Sequence, residues 1–407
     1  MLYLHPLYID PGTGSALFSI LIGAAATVYF LGRALVIKLK VVVSGGKTPR
    51  AASYDIPFVI YNEGKQYWNV FKPVLDEFEN RNTGLLYLTS AKDDPVFDVS
   101  WNFVKPEYIG EGNRAFARLN MLRAGICLMT TPGLDVYQLK RSKMVKHYAH
   151  ILHEPGDAMY RLFGLDYFDS VLLTGDYQAE DIRTLERKRN IPEKILPTVG
   201  CSYLDVYAEK IKTLPPEDNR PFTVLVSPSW GPSALLTRYG EKLLDPLSAS
   251  GWRIIIRPHP QSKKSETLML ERLQTHYKNS NNIEWDFERE NIISLSKADI
   301  MISDFSGIIF DYMFLRDRPV LYLNQDYDIR LYDADDIDHE MWKFKTVKKA
   351  GIELKAEDFP RITEIIKNAG DSENLKQARK KARETAWQYP GEAGKRIFDF
   401  MAGVANG

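Results

Sequence analysis

Cysteine is nearly absent: the 407 residues include only Cys127 and Cys201. A disulfide framework and a cysteine-rich zinc site are thereby excluded, and a reducing compartment fits. Net charge is missing too. Lys plus Arg number 53 and Asp plus Glu number 53, for a formal charge of zero. That argues against a uniformly basic nucleic-acid binder and leaves room for local patches only. Hydrophobic residues make up 44% of the chain, so the low-hydrophobicity signature of wholesale disorder is lacking. Several familiar motifs also fail. No HExxH occurs. Gly46-Lys47-Thr48 ends like a phosphate-binding loop, but Val41 stands where its first glycine is required. Gly12-x-Gly14 lacks its third glycine at Leu17. His147, His150 and His153 are three apart, and successive members would point to opposite faces of a strand, so no shared metal is expected. Asp326-Tyr327-Asp328 resembles a metal-binding DxD, yet acids crowd this stretch up to Glu340 and it reads as a solvated loop. Neither a metal nor a cofactor is expected.

Formal charge is also absent from the 22 residues between Asp10 and Arg33. About 20 apolar residues span a bilayer core, so this run is long enough. Arg33, Lys38, Lys40, Lys47 and Arg50 follow, with no acid before Asp55, and no Lys or Arg precedes the run. The positive-inside rule then puts the bulk of the chain on the cytoplasmic face of a cell membrane. Residues 1–45 are read as an anchor with its basic flank, single-pass or monotopic. A buried helix of a soluble domain is the alternative.

What is present beyond residue 50 is alternation. Strand-like runs at 56–61, 84–90 and 126–131 are separated by helical spacing at 67–81 and 113–125, the second ending in Gly125. Runs at 147–154, 170–175 and 194–200 continue the series. After the linker at 213–221, strands are expected at 222–228, 252–260, 283–286, 298–304 and 318–323. Strands alternating with helices imply parallel sheets wrapped by helices. The reading is an α/β chain of two Rossmann-like domains facing a cleft, at 50–212 and 220–370, with C-terminal helices over 371–407. Ligands in such sheets bind at the carboxyl ends of the strands.

Four segments fall at such ends. Ser303-Asp304-Phe305-Ser306-Gly307 leaves a buried strand and opens an apolar helix, 308–315, which carries Asp311. Free amides and the positive helix end make this a natural phosphate site, though simple N-capping by Ser303, Asp304 or Ser306 gives the same pattern. Arg257-Pro258-His259-Pro260 follows Ile254-Ile255-Ile256, placing a cation and an imidazole at the same edge. Ser229-Trp230-Gly231 lies just past another strand, where small residues allow close approach of a ligand. His153-Glu154-Pro155 follows a strand of the first half, and His153 is the candidate base on that side.

In this order the segments resemble the CDP-glycerol glycerophosphotransferase family of teichoic-acid synthesis. Pro228-Ser229-Trp230, Arg257-Pro258-His259 and Ser303-Asp304-Phe305-Ser306 with Asp311-Tyr312 carry the resemblance, and Tyr327-Asp328 and Tyr332 resemble the loop that follows. It spans roughly residues 145–345. The departure is Leu152-His153-Glu154-Pro155, which stands where the family has a Trp-His-Gly-Thr-like motif. The resemblance implies a GT-B-like fold. It implies transfer of glycerol phosphate, or a related polyol phosphate, from a CDP-linked donor to a hydroxyl of a lipid-linked or polymeric envelope acceptor, releasing CMP. His153 and His259 would be catalytic. Ser229, Trp230, Arg257, Ser303, Asp304, Ser306, Gly307 and Asp311 would bind substrate. Two alternatives stand: a nucleotide-sugar glycosyltransferase or epimerase in the same cleft, and a non-catalytic, membrane-tethered polymer-binding module.

Overall fold

A computed structural model describes residues 56–407, except 159, 216–219, 325–331, 370–371 and 407. The anchor expected over 11–32, the Gly46-Lys47-Thr48 stretch, Asp326 and Tyr327-Asp328 lie outside the described residues. Among those described, no helix is long and apolar enough to cross a membrane.

The first half forms a six-stranded parallel sheet from β1 (Ile56–Asn62), β2 (Leu85–Thr89), β3 (Val104–Tyr108), β4 (Ala124–Met129), β5 (Val145–Ile151) and β6 (Ser170–Leu172), in the order β3-β2-β1-β4-β5-β6. The second half repeats the pattern with β7 (Thr223–Val226), β8 (Arg253–Ile256), β9 (Ile283–Trp285), β10 (Ile300–Ser303), β11 (Val320–Leu323) and β12 (Ile352–Leu354), in the order β12-β11-β10-β7-β8-β9. Each order reverses at one point, between β1 and β4 and between β7 and β10. Two Rossmann-like sheets, as expected, are present. Their central strands are continuous apolar runs because helices cover both faces. Val224, Val226, Ile254 and Ile256 pack to one side of the second sheet, and Leu225, Ile255 and Met301 to the other.

The chain departs from the expected elements in four places. The strands β3 and β12 were not anticipated. Both lie at sheet edges, where Lys105, Pro106 and Glu107 are tolerated because one side of the strand needs no pairing. The helix expected over 113–125 stops early, as Asn113–Leu119. Gly125 is a strand residue rather than a helix end: a Cβ there would lie 2.7 Å from the Pro57 carbonyl oxygen of β1. Finally, the 194–200 run contributes only isolated parallel bridges, Ser170 with Ile195 and Leu173 with Thr198.

The C-terminal helices serve different halves. Arg379 of the Glu373–Ala386 helix pairs with Asp317, and Ala382 and Ala386 join the second core. The Ala393–Asn406 helix returns to the first sheet through Ile397, Phe398 and Met401, with Phe398 and Phe78 rings 4.7 Å apart. A strap over 332–343 ties the halves together. Arg189 bonds Asp333 at 2.8 Å, His339 meets Asp181 at 2.9 Å, and Asp157 accepts the amides of Trp342 and Lys343.

Candidate active site

The reversal between β7 and β10 puts their carboxyl ends side by side, with β8 next to β7. Part of the chemistry there is scaffold. The Ser303 hydroxyl donates to the Ser227 carbonyl at 2.6 Å. Asp304 is buried and accepts the amides of Ser229 at 2.8 Å and Leu235 at 2.9 Å. Burial pushes its carboxyl up, and these amides, with those of Phe305 and Ser306, pull it back. One side chain therefore fixes two loops. Arg257 is likewise spent internally. It pairs with Asp286 at 2.5 Å and donates to the carbonyls of Glu288 and Arg289. Burial pushes Asp286 up, but the Ser294 hydroxyl, the Glu288 amide and Arg257 outweigh it and hold this carboxyl below its usual range. Arg257 thus positions the end of β9, a role the sequence did not separate from ligand contact.

Other groups are left to face outward. The Ser306 side chain is half-buried, Gly307 is exposed, and the first backbone bonds of the Ile308–Arg316 helix run from Ile309 to Ser306 and from Phe310 to Gly307. The amides of Gly307 and Ile308 therefore precede the helix's own bonding, as at any helix start. His259 lies at the end of β8, one strand beyond β7, and the Glu154 charge that borders Gly307 also acts on it. Its Nδ1 accepts the Gln261 amide at 3.1 Å. In the neutral ring that leaves the proton on Nε2, so His259 presents an N–H donor. Burial favours this neutral form by pushing the imidazole down, against the upward pull of Glu154 and Glu266. Trp230 is 42% exposed and its ring lies 6.2 Å from that of His259. Gly231 bends this loop with φ of 96°, a left-handed conformation that favours glycine. A cavity at the ends of β10 and β11 is lined by Phe305, Ser306, Tyr322, Asn324, Lys343 and Phe344.

Asp311 sits one helical turn beyond Gly307, but it is turned inward. It accepts from the Tyr203 hydroxyl and from the Asn291 side-chain amide, the latter at 3.0 Å. Burial, then the Glu154 charge, push its carboxyl well above the usual range. Tyr203 and Asn291 carried no signal in the sequence, since neither stands in a recognisable spacing.

The first half contributes the loop after β5. The His153 ring packs edgewise on Tyr67 with centroids 4.9 Å apart, and its Nδ1 is buried without a hydrogen-bond partner. Glu154 reaches across to the other half: a Cβ on Gly307 would lie 3.2 Å from its Oε2. The structure thus brings the His153-Glu154 loop to the helix start at Ser306-Gly307. His147 and His150 do part company, His147 bonding Ser170 at 2.9 Å and His150 bonding Tyr160 at 3.0 Å. Among the described residues no group of three or more His, Cys, Asp or Glu could hold a metal ion.

Residues 241–401 match the family model described as CDP-Glycerol:Poly(glycerophosphate) glycerophosphotransferase. The family resemblance of the motifs is borne out over that range, and the family is one of transferases. The range includes Arg257, His259 and 303–311 but neither 229–231 nor His153. No curated protein matches the chain. Among solved structures, the wall teichoic acid polymerase TagF, soaked with CDPG, is similar with a TM-score of 0.55 at 14% identity, over 92% of this chain and 97% of its own. The UDP-GlcNAc 2-epimerase from Neisseria meningitidis, bound to UDP-GlcNAc, is similar with a TM-score of 0.55 at 13% identity, over 86% of this chain and 100% of its own. A glycosyltransferase from Rickettsia africae gives 0.51 at 10% identity, over 86% and 99%. At such identities the likeness shows the fold, which is GT-B-like.

Proposed function

We propose that the chain transfers glycerol phosphate, or a related polyol phosphate, from a CDP-linked donor to a hydroxyl of a membrane-associated or polymeric envelope acceptor, releasing CMP. The observation that carries this reading is the meeting of the His153-Glu154 loop with the Ser306-Gly307 helix start, with His259 at the end of β8, inside a chain whose second half matches the glycerophosphotransferase family. The acceptor oxygen attacks the phosphorus bearing glycerol. A new P–O bond forms, the bond to the CMP oxygen breaks, and the electron pair leaves with CMP. Such transfer needs positioning and charge neutralisation more than covalent help. The Gly307 and Ile308 amides, the Ser306 hydroxyl and the His259 Nε2–H supply donors for the diphosphate oxygens. His153 takes the proton of the attacking hydroxyl, a role worth roughly 10²–10⁴-fold in rate.

A donor screen tests the reading. CDP-glycerol or CDP-ribitol raises the melting temperature and supports CMP release, while UDP-sugars do neither. Stabilisation by UDP-sugars alone overturns it in favour of a nucleotide-sugar enzyme, and stabilisation by no nucleotide favours a polymer-binding module. The proposal extends to location: the charge-free run at 11–32 with its basic flank supports membrane attachment with the cleft on the cytoplasmic face. Deletion of residues 1–45 then releases the protein, and extraction of the full chain by salt alone overturns integral attachment.

A further inference from the structure

Glu154 is a cleft residue that the mechanism above leaves unused. It is exposed, as is Gly307, and its Oε2 lies against the start of the Ile308–Arg316 helix. No hydrogen bond to a described residue holds the carboxylate. Its charge acts on His259 and Lys343, favouring their protonated forms against burial, and on Asp311 and Tyr160, opposing their ionisation. An anion of this chain therefore stands among the helix amides, imidazole and lysine that a phosphate would use.

We infer that Glu154 is a selectivity residue of the donor site: its carboxylate rejects phosphates with a free terminal oxyanion and admits those capped by a second ester. This rests on the donor reading above. In CDP-glycerol each phosphorus is substituted twice and carries one negative charge. In CDP the terminal phosphate is substituted once and gains a second negative charge above about pH 6. The extra charge falls at the end of the diphosphate from which glycerol is missing, where the loop after β5 meets the helix start. Like charges in contact repel, and solvent weakens the effect without removing it because Glu154 is exposed. The enzyme so arranged avoids occupation by uncapped diphosphates.

The test is calorimetric titration of the full chain and of Glu154→Gln with CDP-glycerol, CDP and pyrophosphate at pH 7.5 or so. Glutamine keeps the shape, and the exposed side chain makes no bond that folding would miss. CDP and pyrophosphate tighten roughly fivefold in the variant, and CDP-glycerol less than about twofold. Equal tightening of all three ligands, no change, or weaker binding of CDP overturns the inference. Pyrophosphate carries the same terminal charge without a nucleoside. If it tightens while neither protein takes CDP-glycerol, the donor reading fails and the role of the carboxylate stands.

Discussion

The two sheets share one strand order but finish their carboxyl edges differently. At the second sheet the polar side chains nearest the strands are satisfied: Ser303 by the Ser227 carbonyl, Asp304 by amides of two loops, Arg257 by Asp286. The next residues out, among them His259, Ser306 and Trp230, face the cleft. At the first sheet, Thr130 and Thr131 just past β4 and His153 past β5 each bury a side-chain atom with no partner. A buried polar group without a partner costs free energy, so native proteins keep few of them. The difference teaches that equal topology places loops equally but leaves their chemistry open. One edge is a built scaffold that leaves the Gly307 and Ile308 amides, Ser306 and His259 to the cleft; the other satisfies Asn62 and Thr89 through Asp94 but leaves Thr130, Thr131 and His153, past β4 and β5, with unpartnered side-chain atoms.

His153→Ala breaks the comparison most. It lowers turnover by roughly 10²–10⁴-fold while donor affinity stays within about threefold, because a general base acts during transfer. Initial rates and calorimetry separate the two effects, and a folded variant turning over at the wild-type rate removes His153 from the mechanism. Arg257→Ala comes next and strikes the scaffold. It strands Asp286 in a buried site and costs about 3–5 kcal/mol of stability, read as a lower denaturation midpoint. A loss of affinity without a loss of stability would show Arg257 to be a ligand contact instead.

Ser306→Ala is smaller and sharpens the contrast within the second edge. Loss of one hydrogen bond to a charged ligand weakens donor binding roughly tenfold with the melting temperature nearly unchanged. Ser303→Ala does the reverse, because its hydroxyl is bonded to the chain itself. The smallest effect concerns the strap. Burial, chiefly, and then the nearby Asp157 push the Asp181 carboxyl up to about 6, against the downward pull of His339. A carboxyl with a raised folded value contributes stability that is present below its unfolded value and lost as pH rises through 6. Stability therefore falls between about pH 4 and 6 by on the order of 1–2 kcal/mol from this group, and Asp181→Asn flattens that slope in denaturant titrations. An unchanged slope shows that the strap does not titrate there.

Much of this was legible in the sequence. Continuous apolar runs such as Ile254-Ile255-Ile256 mark strands buried on both faces, and small polar residues after them mark the edge where ligands bind. The resemblance to a glycerophosphotransferase came from such edges, and the family match covers two of them. The edge strands β3 and β12 were not legible, because a strand paired on one side tolerates Lys, Pro and Glu and loses the apolar signature. Gly125 misled for a related reason: a glycine that lets two strands approach looks the same in sequence as one that ends a helix.

The sequence by itself determined the class of fold, the number of sheets and the segments that reach their carboxyl edges, because periodicity and turn chemistry are local properties. Only the tertiary structure decided what each side chain at those edges does. Arg257 and His259 are two residues apart on one loop, yet one is consumed by Asp286 and the other keeps a donor for the cleft. Asp311 lies in the motif but turns to Tyr203 and Asn291, and Glu154 stands where the chain departs from the family's motif but meets Gly307. The partners that settle the roles of Arg257, Asp311 and Glu154 lie tens to hundreds of residues away, and a local pattern carries no information about distance in space.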